Sequence, residues 1–188
     1  IDSKGEPIFE TGNVTPDSIM DVVNNADNSM FYIRGRLPED LRACGRATVK
    51  AFGVRSRFVH FEFFRLKKDQ HIGKKGQVVA LEVNLRPSGG ISPDMMNYAN
   101  STDVYEIWAD MCACDSTDKP VLTRSNCVFA SRRAGKSFVI REKYGDHIKE
   151  EAPVPKALSG AMADYMFLAV FDSEDEVYDF AKDVFLCE

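Results

Sequence analysis

Phe58-Val59-His60-Phe61-Glu62-Phe63-Phe64 and Leu81-Glu82-Val83-Asn84-Leu85-Arg86 are apolar stretches with a polar or ionisable residue at nearly every second position. Side chains alternate across a β-strand, so this spacing predicts two strands, each with an apolar face. Val59, Phe61 and Phe63 are expected to face the core, leaving His60, Glu62 and Phe64 opposite. In the second stretch Leu81, Val83 and Leu85 are expected inward, with Glu82, Asn84 and Arg86 outward. The linker Lys67-Lys68-Asp69-Gln70-His71-Ile72-Gly73-Lys74-Lys75-Gly76 is polar and carries two glycines, which marks a long hairpin tip.

A hairpin symmetric about that tip sets Glu62 across from Glu82. Two opposed carboxylates repel unless a positive charge lies between them. A hard divalent cation resolves the conflict, because Mg²⁺ takes carboxylate, phosphate and water oxygens, and the Asn84 carbonyl extends the set. Arg86 adds a planar donor fork suited to phosphate or carboxylate. A lone Glu-x-Asn-x-Arg reads as the wet face of an edge strand. The second carboxylate and the glycine turn Arg86-Pro87-Ser88-Gly89-Gly90 turn the balance toward a site.

Outward from this hairpin, Thr15-Pro16-Asp17 opens a short helix through Ile19, Val22 and Val23. Pro38-Glu39-Asp40 starts a longer one, with Leu41, Cys44, Thr48, Val49 and Phe52 at helical spacing and Gly53 as its stop. Helices are also predicted from Asp94 to Ala99 and from Thr102, the second with Val104, Ile107, Trp108 and Met111 as a core stripe. Val121–Arg132, Ser137–Glu142 and Tyr165–Phe171 read as strands. Ser173-Glu174-Asp175-Glu176 is a capping box opening a last helix through Val177, Phe180, Val184 and Phe185.

Composition narrows the function classes. Of 188 residues, 44% are hydrophobic and 28% charged, as in ordinary globular chains, and no run approaches the length of a membrane span. A net charge of −5 argues against nucleic acid as the main partner, and Lys67-Lys68, Lys74-Lys75 and Arg132-Arg133 read as solvated pairs. Five cysteines in no compact framework suit free thiols in a reducing cytosol; Cys112 and Cys114 lack a second ligand pair for zinc. Ala134-Gly135-Lys136-Ser137 ends like a phosphate loop, but Ala130 stands where the pattern needs Gly. The three histidines suggest no Ser-His-Asp arrangement, and His60 reads as packed beside aromatics.

Phe61-Glu62-Phe63 followed by Leu81-Glu82-Val83-Asn84-Leu85-Arg86 resembles the metal-binding signature of the ATP-grasp superfamily of carboxylate–amine ligases, carbamoyl phosphate synthases and biotin carboxylases. The resemblance runs from the Leu41–Phe52 helix through the Asp94–Met111 helices. It implies that Glu62, Glu82 and Asn84 hold Mg²⁺ (or Mn²⁺) against ATP, and that Arg86, with Ser88, Gly89 and Gly90, contacts the substrate and serves the reaction. The expected activity is a ligase forming C–N bonds through an acyl phosphate, with a small carboxylate as substrate. A non-catalytic regulatory module and a phosphotransferase with another acceptor are the alternatives.

The expected class is α+β: the C-terminal subdomain of an ATP-grasp fold, mainly antiparallel sheet packed with helices, plus a small α/β extension. Its division is 1–115 and 116–188, with Pro153-Val154-Pro155 as a joint. The start at Ile1 reads like the middle of a longer protein, because the family's glycine-rich loop, nucleotide-gripping lysines and adenine hinge belong upstream. The expected partners are therefore ATP, the carboxylate and the missing N-terminal part. Neither nucleic acid nor membrane is expected; a homodimer is compatible with this scheme, the location cytoplasmic, and the isolated chain inactive.

Overall fold

A computed structural model describes residues 1–186, apart from the side chain of Ile19. Cys187 lies outside the described residues. The chain is α+β, with seven helices and seven strands among the described residues. Every strand pair is antiparallel. The strands form a five-stranded sheet and a separate two-stranded one.

Two compact units emerge, each discontinuous in sequence. One comprises residues 1–10, 37–93 and 103–120, and the other residues 11–36, 94–102 and 121–188. The Pro153–Pro155 segment falls inside the second.

In the first unit, α2 (Glu39–Ala51) begins after Pro38, with Glu39 and Asp40 in its first turn, where carboxylates complement the helix dipole. It is joined to β3 (His60–Arg65) by Arg65, which donates from Nη1 and Nη2 to Asp40 at 2.6 and 3.0 Å. β3 pairs with β4 (Val78–Asn84). The tip between them is ordered: Leu66 and Gln77 close it through backbone bonds, and the Asp69 carboxylate accepts from the Lys74 ammonium and the Lys75 amide, each at 2.9 Å. Gly76 takes φ +87°, a conformation side chains resist, and its carbonyl accepts from Arg65 at 2.8 Å. α4 (Val104–Cys114) is capped by Asp103, which accepts from the Tyr105 and Glu106 amides. Its Trp108 ring meets Phe58 edge-on, 5.9 Å between centroids, and so braces the entry to β3.

In the second unit the sheet order is β1 (Gly12–Val14), β2 (Ser29–Arg34), β5 (Asn126–Arg132), β7 (Tyr165–Phe171), β6 (Ile148–Pro153). All seven residues of β5 are buried. α7 (Glu174–Leu186) lays Val177, Phe180, Ala181 and Val184 against Val128, Ala130, Phe167, Ala169 and Phe171. That is the i, i+3, i+4, i+7 stripe of an amphipathic helix, and each large side chain so buried contributes about 1.5–3 kcal/mol. The Ser173–Glu176 capping box forms: the Ser173 amide and hydroxyl donate to Glu176 Oε2 at 3.0 and 2.7 Å. α1 (Ile19–Asn25), α3 (Ser92–Asn100), α5 (Phe138–Tyr144) and α6 (Ser159–Met162) complete the helices.

Three expectations are corrected. The strand expected at Ser137–Glu142 is helix α5, because Ile140 and Tyr144, four apart, pack on the core while Phe138 and Val139 stay exposed. The strand expected from Val121 starts only at Asn126, since residues 122–125 bond to the end of α3 through Asn100 and Ala99 carbonyls. Leu81 and Leu85, expected inward, are 55% and 45% exposed. The register explains Leu81: Glu62 faces Glu82 but Phe63 faces Ala80, so Leu81 is the extra residue of a bulge that breaks the alternation. Leu85 lies beyond the end of β4, where no pairing holds it inward.

Candidate functional site

Directly opposed residues of an antiparallel pair project from the same face, and the β3–β4 register pairs His60 with Asn84 and Glu62 with Glu82. One face of the hairpin therefore carries a quartet of two carboxylates, an amide and an imidazole. Phe61 and Phe63 are half-buried on the other face, with their rings edge-on at 6.4 Å. The apolar face anchors the hairpin and the polar face is presented. Glu62 and Glu82 are exposed, while His60 and Asn84 are half-buried.

Neither carboxylate has an ion pair or hydrogen bond among the described residues, nor does the Asn84 amide. Arg86 follows the strand, exposed, and its Nη1 donates only to the neighbouring Pro87 carbonyl at 3.0 Å. In the turn beyond, Gly90 takes φ +63°, and the Ser88 hydroxyl is buried with no partner among the described residues. Register thus brings Glu62, Glu82 and Asn84 together on one face. Arg86, Ser88, Gly89 and Gly90 follow in the adjoining turn.

His60 contributes more than its sequence suggested. Its Nδ1 lies 3.1 Å from the Arg86 carbonyl. A carbonyl only accepts, so Nδ1 carries the proton, which leaves Nε2 with its lone pair in the neutral ring. Among the described residues its ring stacks on no aromatic side chain, and its Nδ1 is held by the Arg86 carbonyl. The contact ties the residue after β4 back to the start of β3 and fixes where Arg86 leaves the strand. No sequence signal reports it, because it depends on the Arg86 backbone.

The donor set fits a hard divalent cation: carboxylate oxygens opposed across a strand pair and an amide oxygen beside them. Among the described residues no three His, Cys, Asp or Glu side chains group as metal ligands, so water and a phosphate-bearing ligand have to complete such a shell. None of the described helices is long and apolar enough to cross a membrane. No protein-family model and no curated protein matches the chain.

Proposed function

We propose that the β3–β4 hairpin is the Mg²⁺-binding edge of an ATP site, in a ligase that activates a carboxylate as an acyl phosphate for attack by an amine or similar nucleophile. The observation that carries this proposal is the direct pairing of Glu62 with Glu82, without a neutralising side chain among the described residues. Opposed like charges destabilise a strand pair. Their opposition on a paired hairpin, with the bulge at Leu81 directly beside them, is accounted for by a cation between them.

In this scheme Glu62, Glu82 and Asn84 hold the cation through oxygen atoms. The metal, when bound, supplies charge neutralisation at the phosphates. Arg86 orients an incoming phosphate or carboxylate with its guanidinium fork, and the Ser88 hydroxyl with the Gly89-Gly90 backbone lines the path beside it. His60 keeps the Arg86 backbone in place. Free thiols at Cys44, Cys112, Cys114 and Cys127 support a reducing, cytosolic setting.

Mn²⁺ tests the site, because it substitutes for Mg²⁺ at oxygen ligands and broadens nearby NMR signals. Titrating MnCl₂ with ATP into the ¹⁵N-labelled chain is expected to broaden amides of residues 60–64 and 82–86 first. Glu62→Gln is expected to abolish that pattern. Broadening centred on other carboxylates, or unchanged in Glu62→Gln, contradicts the proposal.

A further inference from the structure

Arg132 and Arg133 stand side by side at the end of β5, and their guanidinium groups are treated very differently. Arg133 is saturated by backbone carbonyls: its Nε donates to Ala26 and Asp27 at 2.6 and 3.0 Å, and its Nη atoms to Ser159 and Gly160 at 3.0 and 2.9 Å. Arg132 is only 3% exposed, yet its Nε and Nη1 are buried without a partner among the described residues. A guanidinium stays charged at any physiological pH, and a buried charge without a counter-charge is strongly disfavoured. The arrangement asks for an anion.

The register shows which residues share its face of the sheet. Arg132 faces Tyr165 on β7, and two residues along the same face Phe167 is opposed by Glu151 of β6. Glu151 Oε1 accepts from Lys136 Nζ at 3.1 Å and Arg141 Nη1 at 2.8 Å, while its Oε2 is buried without a partner. Ser137, next to Lys136, is 2% exposed with an unpartnered hydroxyl. Among the described residues Lys136 and Arg141 share the single carboxylate of Glu151, and Arg132 has no ion pair. The Lys136 and Arg141 side chains are 40% and 61% exposed, which leaves a mouth open to solvent.

We propose that this corner of the second unit binds a phosphate-type oxyanion, with Arg132 as its buried anchor, Lys136 and Arg141 at its mouth and Ser137 donating a hydroxyl. Arg132 supplies a planar pair of donors suited to tetrahedral oxyanions. Glu151 Oε2 adds selectivity, since it can accept only from a group that carries a proton. Phosphate near neutral pH keeps a hydroxyl and meets that demand, whereas sulfate carries none. The site does not depend on the nucleotide scheme for the hairpin.

The test is an NMR titration of the 188-residue chain with sodium phosphate, against sodium chloride at equal ionic strength, following the Arg132 Nε–H signal. A saturable shift of that signal and of the 134–137 amides is expected, with sulfate binding several-fold more weakly. Lys136→Met is expected to weaken phosphate binding by about tenfold, with the phosphate-free melting temperature measured alongside so that the loss is read on folded protein. Arg132→Met is expected to abolish binding, and Lys136→Met keeps the test decisive where that variant does not fold. Glycerol phosphate, which keeps a phosphate hydroxyl only below about pH 6, separates the sources: at about pH 5.5, binding tighter than that of phosphate assigns the anion to an organic ligand, and equal or weaker binding assigns it to the free ion; both support the site. A response no larger than that to chloride, sulfate binding as tight as phosphate, or phosphate binding unchanged in Arg132→Met overturns the proposal.

Discussion

Glu174 in the second unit and the Glu62–Glu82 pair in the first show two opposite treatments of a carboxylate. Glu174 opens α7 and receives the Arg34 guanidinium in two-point fashion, Nε at 2.6 Å and Nη2 at 2.7 Å, with the Tyr32 hydroxyl at 2.8 Å. Its charge is held by groups of its own unit, and it ties β2 to the last helix. Glu62 and Glu82 face each other with no donor among the described residues. The first arrangement stabilises the fold and the second opposes it. Removing a carboxylate should therefore have opposite signs in the two places, which separates a structural charge from one kept for a ligand.

Glu174→Ala should have the largest effect, a loss of about 1–2 kcal/mol once the partial exposure of the pair is discounted. It leaves Arg34 and the buried Tyr32 without their acceptor, and chemical denaturation measures the loss. Acid sharpens the same side of the comparison. The Arg34 guanidinium, and after it the Tyr32 hydroxyl, hold the Glu174 carboxyl below its ordinary value of 4.5. A lowered folded-state value means that the stabilisation is complete above pH 4.5 and is lost as pH falls through the folded value. Glu174→Gln should accordingly flatten the acid limb of a stability–pH curve, and an unchanged limb assigns acid sensitivity to other groups.

Glu82→Gln should act in the other direction. Without metal, neutralising one of the opposed carboxylates should stabilise the chain by about 0.5 kcal/mol. The proposed ATP site predicts that the same change abolishes Mg²⁺-dependent ADP release, because an amide supplies no charge. Arg86→Ala should have the smallest effect on the fold. Arg86 is exposed and, among the described residues, its side chain bonds only a neighbouring carbonyl, so the melting temperature should stay within error. Substrate or phosphate affinity should weaken while Mn²⁺ binding persists. A fall in metal affinity would place Arg86 in the ligand set instead.

Much of this contrast was legible in the residues, and the rest failed for identifiable reasons. The opposition of Glu62 and Glu82 follows from strand alternation and a hairpin symmetric about its tip, both local properties. The bulge at Leu81 is not local: neither Gly nor Pro marks it, and only the pairing of Phe63 with Ala80 reveals it. Phe138-Val139-Ile140 reads as a strand because it is β-branched and aromatic, whereas in helix α5 burial selects only Ile140 of the three. β6 leaves no strand signal because Ile148-Lys149-Glu150-Glu151 is too polar to stand alone and is ordered by pairing with β7, as charged edge strands are. The burial of Arg132 was invisible as well, since an Arg closing a strand ordinarily reads as solvated. His60 was seen on the correct face, but its bond to the Arg86 carbonyl depends on how the strand ends.

The most direct test is the melting temperature of the wild-type chain and of Glu82→Gln, each in EDTA and in saturating Mn²⁺ with ATP. A cation held between opposed carboxylates predicts that Glu82→Gln melts at or above the wild type in EDTA. Mn²⁺ should then raise the wild type and leave the variant unmoved, reversing their order. A variant that melts below the wild type in EDTA, or that gains as much from Mn²⁺, would contradict the assignment of this pair to a metal.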